Sequence, residues 1–137
     1  MICADTNLVV ALIVSHPSRP AAAALYEKDS DWHLADWWQI ELANALRNYH
    51  RAGQLETNEA LVAMDLGRSL IAPANTHPVD PIETLRVACE LNISAYDARF
   101  IALARSFGQQ LVTEDKRLRK ACPADTLSLD EALATCP

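Results

Sequence analysis

Short apolar runs and longer segments with helical spacing alternate along the chain from its first residues. Ile2 to Ala4 reads as a strand ending at Asp5-Thr6-Asn7, and Leu8 to Val14 as a helix stopped by His16-Pro17 and Pro20. Ala21 to Lys28 predicts a second helix, carrying Leu25 and Tyr26 among alanines. His33 to Ala35 is the next strand, and Asp36 to about Ala52 a long helix that Gly53 stops. Thr57 to Leu70 follows as a helix with Leu61, Val62, Met64 and Leu66 on its apolar side. Ala72 to Val79 is interrupted by prolines and leaves room for one short strand near Thr76. In Asp80-Pro81-Ile82-Glu83, an N-cap acid, a first-turn proline and a capping-box glutamate start a helix that ends near Asn92. Ser94 to Asp97 opens another, which carries Phe100, Ile101, Leu103, Ala104 and Phe107 and stops at Gly108. Gln110 to Thr113 reads as strand, Asp115 to Lys120 as a short helix, Thr126 to Leu129 as strand and Asp130 to Thr135 as a closing helix.

Strands separated by helices predict an α/β protein of three layers: a central parallel sheet of four to five short strands, with helices on both faces. In such sheets ligands bind beyond the carboxyl ends of the strands. The length of 137 residues and an ordinary composition, 50% hydrophobic and 22% charged, predict a single domain over 1–137. No apolar stretch is long enough to span a membrane, and the apolar N-terminus has no basic leader and is broken by Asp5 and Asn7. A cytoplasmic protein with no membrane partner is expected. The cysteines at positions 3, 89, 122 and 136 form no CxxC pair, which predicts reduced thiols, with Cys3 and Cys89 buried. With three glycines in the chain, a glycine-rich phosphate loop is excluded. The net charge of −6 speaks against a nonspecific coat on nucleic acid, yet it suits an enzyme that gathers carboxylates around cations.

Three acids stand where a parallel sheet would bring them to one edge, and a fourth sits on a half-buried helix face. Asp5 follows the first strand and Asp115 a later one, and Asp97 lies in the first turn of its helix. Glu41 sits one turn into the long helix among Trp37, Trp38, Ile40, Leu42, Ala45 and Leu46, where a carboxylate is costly without a partner. Singly, Asp5, Asp97 and Asp115 are explained as helix caps, and Glu41 by pairing with a cation from another segment. Collected in one crevice, they would repel one another unless a cation neutralised them. Oxygen ligands suit Mg²⁺ or Mn²⁺.

Four segments in order resemble the PIN-domain family, and within it the VapC-type toxins of toxin–antitoxin pairs. They are Asp5-Thr6-Asn7, the run Ile40 to Arg47 around Glu41, the run Ala95 to Ala104 around Asp97, and Leu111 to Leu118 around Asp115. The resemblance spans essentially the whole chain. It implies an endoribonuclease whose metal-binding and catalytic quartet is Asp5, Glu41, Asp97 and Asp115, holding one or two Mg²⁺ or Mn²⁺ ions. Asn7 and Thr113 become supporting side chains. A bound ion would activate water against phosphorus, leaving a 5′-phosphate and a 3′-hydroxyl. The resemblance also implies a VapB-type antitoxin partner near the N-terminal helices, a homodimer, and translation blocked by cutting tRNA, rRNA or mRNA.

Basic residues adjoin the acids: Lys116, Arg117, Arg119 and Lys120 follow Asp115, Arg47, His50 and Arg51 end the helix of Glu41, and Arg99 follows Asp97. Arg47, Arg51, Arg99, Lys116 and Arg117 are candidates for contact with RNA phosphates, against the alternative of a solvated helix face. His16, His33, His50 and His77 show no pairing that suggests metal-free acid–base cleavage, and Glu114 should point away from Asp115 by strand alternation. Trp32, Trp37 and Trp38 suggest core packing for at least one and a partner surface for any exposed one. A phosphatase with Asp5 as nucleophile would want a second acid where Asn7 stands. A receiver domain would want a lysine on a late strand, where this chain has none. A PIN nuclease of RNA processing outside a toxin–antitoxin pair, or a catalytically silent RNA- or protein-binding module, remains the alternative.

Overall fold

A computed structural model describes residues 1–137. The elements are β1 (Ile2–Ala4), α1 (Thr6–Ile13), α2 (Arg19–Lys28), β2 (Trp32–Ala35), α3 (Trp38–Arg51), α4 (Thr57–Leu70), β3 (Thr76–His77), α5 (Pro81–Leu91), α6 (Ala95–Ser106), β4 (Leu111–Val112), α7 (Lys116–Ala121), β5 (Thr126–Leu127) and α8 (Leu129–Thr135). One 3-10 turn, Pro73–Asn75, precedes β3.

All strand pairs are parallel, and the order across the sheet is β3-β2-β1-β4-β5. The central strand β1 carries Cys3 and Ala4, both fully covered, and their small side chains let helices close in on the sheet. α6 packs on β1, β2 and β4 with α5 behind it, while α1 packs against α2, α3 and α4, and α2 against α8. The chain order of strands reverses at β1, since β2 lies on one side and β4 on the other, and this is the switch point where such sheets open a crevice. No helix is long and apolar enough to cross a membrane.

The elements match the sequence reading in kind and order, and they differ at boundaries where a capping group or a backbone turn decides. α1 begins at Thr6 because Asp5 caps it, Oδ1 accepting from the Leu8 N–H at 3.1 Å. Pro20 opens α2 in its first turn instead of stopping a helix, since a first-turn position needs no N–H. α3 begins at Trp38 rather than Asp36, because Trp37 adopts a left-handed backbone (φ 70°) that breaks the helix before it. Ser128 and Glu131 form a capping box, so Leu129 belongs to α8 and not to β5. Cys89, expected in the core, is exposed on α5; Cys3 is buried, and all four cysteines are free. Trp32 and Trp38 are buried with their indole N–H groups bonded to Asp29 O and Thr76 Oγ1, whereas Trp37 is 69% exposed.

Gly67 in α4 shows how closely the helices meet. A Cβ there would lie 2.7 Å from Leu42 Cδ2 and 3.3 Å from Ile13 Cδ1, and Leu42 is fully buried one residue after Glu41. Gly67→Val is therefore expected to destabilise the fold by about 1–3 kcal/mol through overpacking. A thermal melt unchanged from the parent would show that the α3–α4 contact has slack.

Candidate active site

Asp5, Glu41, Asp97 and Asp115 line one crevice together with Thr6, Asn7, Phe100 and Leu118. Each arrives by a different local device. The β1–β4 register pairs Ala4 with Val112, so the residues next in line, Asp5 and Thr113, meet beyond the strand ends. The Thr113 hydroxyl donates to Asp5 Oδ2 at 2.5 Å, and its oxygen accepts the Asp115 N–H at 3.1 Å. One fully buried threonine thus fixes two of the acids. Asp115 caps α7, its Oδ1 accepting from the N–H groups of Arg117 (2.9 Å) and Leu118 (3.0 Å). Asp97 exchanges hydrogen bonds with Ser94, the N-cap of α6. Glu41, in the first turn of α3, accepts the Thr6 hydroxyl on Oε2 at 2.7 Å and the Arg99 guanidinium on Oε1.

Asp5 is buried and meets no cation. Burial raises its pKa from 3.8 to about 7, against the opposing hydrogen bonds from Thr113 and Leu8, and the charges of Asp115 and Asp97 push it further up. The fold therefore concentrates negative potential at the crevice floor. The donor set is oxygen alone, which suits a hard divalent cation, and a buried carboxylate left without a positive partner is a place such a cation would stabilise. As the side chains stand, no three of them converge into a ready coordination shell, because each acid is held by an internal donor.

The supporting residues divide. Thr113 touches two acids, and Asn7 lines the crevice from the exposed side of α1. Lys116 and Arg117 are exposed immediately after Asp115, and Lys116 shares a polar hollow with Arg119, Lys120 and Glu131. Arg47 lies with His50 in an apolar groove between α3 and α4, outside the crevice, and Arg51 stands roughly 15 Å from Glu41 along the helix axis. Arg99 differs from the sequence expectation of a phosphate contact: its guanidinium is turned inward, bonded to Glu41 and to the Asp36 carbonyl. Glu114 points away, with Oε1 accepting the Leu129 N–H at 2.8 Å at the start of α8.

Two site residues escaped the sequence reading. Thr6 stood inside the Asp5-Thr6-Asn7 segment, and its place as the first residue of α1 is the signal that could have found it. Asp36 was read as the first helical residue, yet it extends the β2 edge by donating its N–H to His77 O and sits beside Arg99. The histidines also pair unexpectedly: His33 Nδ1 lies 2.8 Å from His77 Nε2, under Phe107. Phe107 follows α6 at the end opposite Asp97, so this pair is remote from the acids. A larger hollow beside Met1 and Gly108 contains one acid, Asp29, already paired with the N-terminal amine.

The raised Asp5 pKa has a stability consequence. Between about 4 and 7 the unfolded chain ionises Asp5 while the fold keeps it protonated, so the group's contribution is intact below 3.8 and is lost progressively as pH rises to about 7. Asp5→Asn is expected to raise the melting temperature of metal-free protein at pH 8 by an amount corresponding to about 2–4 kcal/mol, and hardly at all at pH 4. Equal shifts at both pH values would mean that Asp5 is not a strained buried acid.

The chain is similar to known proteins along most of its length. A family profile described as PIN domain matches residues 2–122. The chain is 25% identical over 122 residues to ribonuclease VapC3 of Pyrobaculum aerophilum, covering 88% of this chain and 93% of that protein. A crystal structure of PAE2754 from Pyrobaculum aerophilum superposes with a TM-score of 0.71 at 25% identity, covering 96% of this chain and 85% of the other. With the match extending from the first strand to the end of α7, the chain belongs to the PIN domain family.

Proposed function

We propose that this protein is a divalent-metal-dependent endoribonuclease and the toxin of a VapBC-type toxin–antitoxin pair. The observation that carries the reading is the convergence of Asp5, Glu41, Asp97 and Asp115 on one crevice at the carboxyl edge of a parallel sheet. These four side chains would hold Mg²⁺ or Mn²⁺, with Thr113 and Asn7 orienting them. The ion, once bound, supplies the Lewis acidity that makes water nucleophilic at neutral pH and offsets charge on the phosphate.

The chain's own residues account for the rest. Burial of Asp5 makes its carboxylate a strong binder once its proton leaves, so loading is expected to strengthen from pH 6 to pH 8. Lys116 and Arg117, next to Asp115, are placed to receive backbone phosphates of RNA entering the crevice. Attack by water on phosphorus with the 3′-oxygen as leaving group breaks the P–O3′ bond and gives a 5′-phosphate and a 3′-hydroxyl. Likeness to a VapC ribonuclease supports a VapB-type antitoxin and a homodimer as partners, tRNA, rRNA or mRNA as the target, and the cytoplasm as the place of action. Exposed apolar side chains on α4 (Leu61, Val62, Leu66) and α5 (Ile82, Leu85) are surface of the kind partner binding uses.

Purified, antitoxin-free protein should cut total bacterial RNA into discrete 5′-phosphorylated fragments with Mg²⁺ or Mn²⁺, and EDTA should stop it. Asp97→Ala and Asp115→Ala, checked for folding by circular dichroism, should each reduce the rate by about 100-fold or more. Cleavage that survives EDTA, or ends in cyclic phosphate, would sink the proposal. Thr113→Val should cost about 1–3 kcal/mol of stability, because the Asp115 N–H and Asp5 lose their shared partner. It should also lower cleavage at saturating metal, and full activity would remove Thr113 from the site.

A further inference from the structure

Glu41 is the one acid of the quartet joined to a cation. Arg99 reaches it from α6: one terminal nitrogen bonds Glu41 Oε1, and the other bonds the Asp36 carbonyl and lies 3.6 Å from Asp36 Oδ1. The guanidinium packs 5.2 Å from the centre of the Phe100 ring, and the side chain is 12% exposed. Two polar atoms here are buried with no hydrogen-bond partner, Arg99 Nε and Asp36 Oδ1. The cluster therefore contains a cation with a spare donor beside a carboxylate with a spare acceptor.

Glu41 has both oxygens engaged, Oε1 by Arg99 and Oε2 by Thr6. A hydroxyl donor leaves its acceptor oxygen a free lone pair, so Thr6 is compatible with a metal ligand. The guanidinium is different. It carries a full positive charge on Oε1 and would repel a divalent ion on the same carboxylate across a partly desolvated gap. A divalent ion on Glu41 would therefore bind against the charge of Arg99 on the same carboxylate.

We propose that Arg99 is a positioning residue that competes with the divalent ion for Glu41, and that Asp36 is the second seat it takes when the ion wins. Loading is then an exchange: Glu41 passes from guanidinium to metal, and the guanidinium completes its ion pair with Asp36 Oδ1. The device would keep the site closed until free metal is concentrated enough to displace an internal cation. It rests on the metal-dependent reading above.

The test is Mn²⁺ titration by calorimetry of metal-free protein without RNA, for the parent, Arg99→Gln, Glu41→Gln and the double variant, each checked by circular dichroism. Arg99→Gln should tighten Mn²⁺ about 10-fold in the parent and by less than about 3-fold in the Glu41→Gln background. Asp36→Asn should weaken binding in the parent and leave Arg99→Gln unchanged. Where Arg99→Gln fails to fold, Arg99→Lys keeps the charge, loses the fork, and should tighten binding by a smaller factor. Weaker binding in Arg99→Gln, or equal tightening with and without Glu41, would overturn the competition, the second outcome reducing Arg99 to a remote field. Absence of Mn²⁺ binding in every protein would instead remove the metal reading of the site.

Discussion

The site hangs on one buried acid. Asp5 stands at the carboxyl end of the central strand, out of water, with a hydroxyl and an amide as its only donors. Burying a carboxylate that way is expensive, and a pKa near 7 expresses the cost. Much of the neighbourhood follows from meeting it. The parallel register that sets Ala4 beside Val112 delivers Thr113 to Asp5, and Thr113 in turn anchors the amide of Asp115. α1 starts where it does because the same carboxylate caps it. An asparagine there would spare the fold that cost, and on the proposed reading the acid would offset it by binding a cation.

What was legible in the sequence was whatever is decided locally. A strand followed by an acid, a serine three residues before Asp97, and an acid before a run of basic residues all signal caps, and caps are short-range chemistry. Because Asp5 and Asp115 cap helices and Asp97 bonds the cap Ser94, their positions at loop ends could be read directly, and a parallel sheet then brings them together. Glu41 was legible for the opposite reason, as a carboxylate among apolar neighbours that requires a partner from elsewhere.

The unread part is long-range or backbone-encoded. Arg99 meets Glu41 across 58 residues and the Asp36 carbonyl across 63, and no spacing rule predicts such a meeting. The inward turn of Arg99 depends on where α6 crosses β2, which is a packing outcome. Trp37 takes a left-handed conformation that an aromatic residue rarely adopts, so its helix-forming neighbours pointed to a start before it. His33 and His77 pair because β3 lies beside β2, a placement that a two-residue strand is too short to announce in sequence.

The four acids are accommodated in the fold by three unlike means. Asp5 keeps its proton up to about pH 7, Glu41 holds a guanidinium, and Asp97 accepts the Ser94 hydroxyl and Asp115 two backbone N–H groups at helix N-termini, where the helix dipole favours negative charge. This explains why the acids share a crevice without flying apart and without forming a finished coordination shell. Loading such a site is not addition to an empty cage. On the proposed metal-dependent reading, a proton would leave Asp5 and the guanidinium would leave Glu41, while Asp115 would share lone pairs it already uses for capping and Asp97 those that accept the Ser94 hydroxyl. Apparent metal affinity would then be a difference between two sets of interactions, dependent on pH through Asp5 and on Arg99 through Glu41. Substitutions that never touch the ion can therefore tune it in either direction.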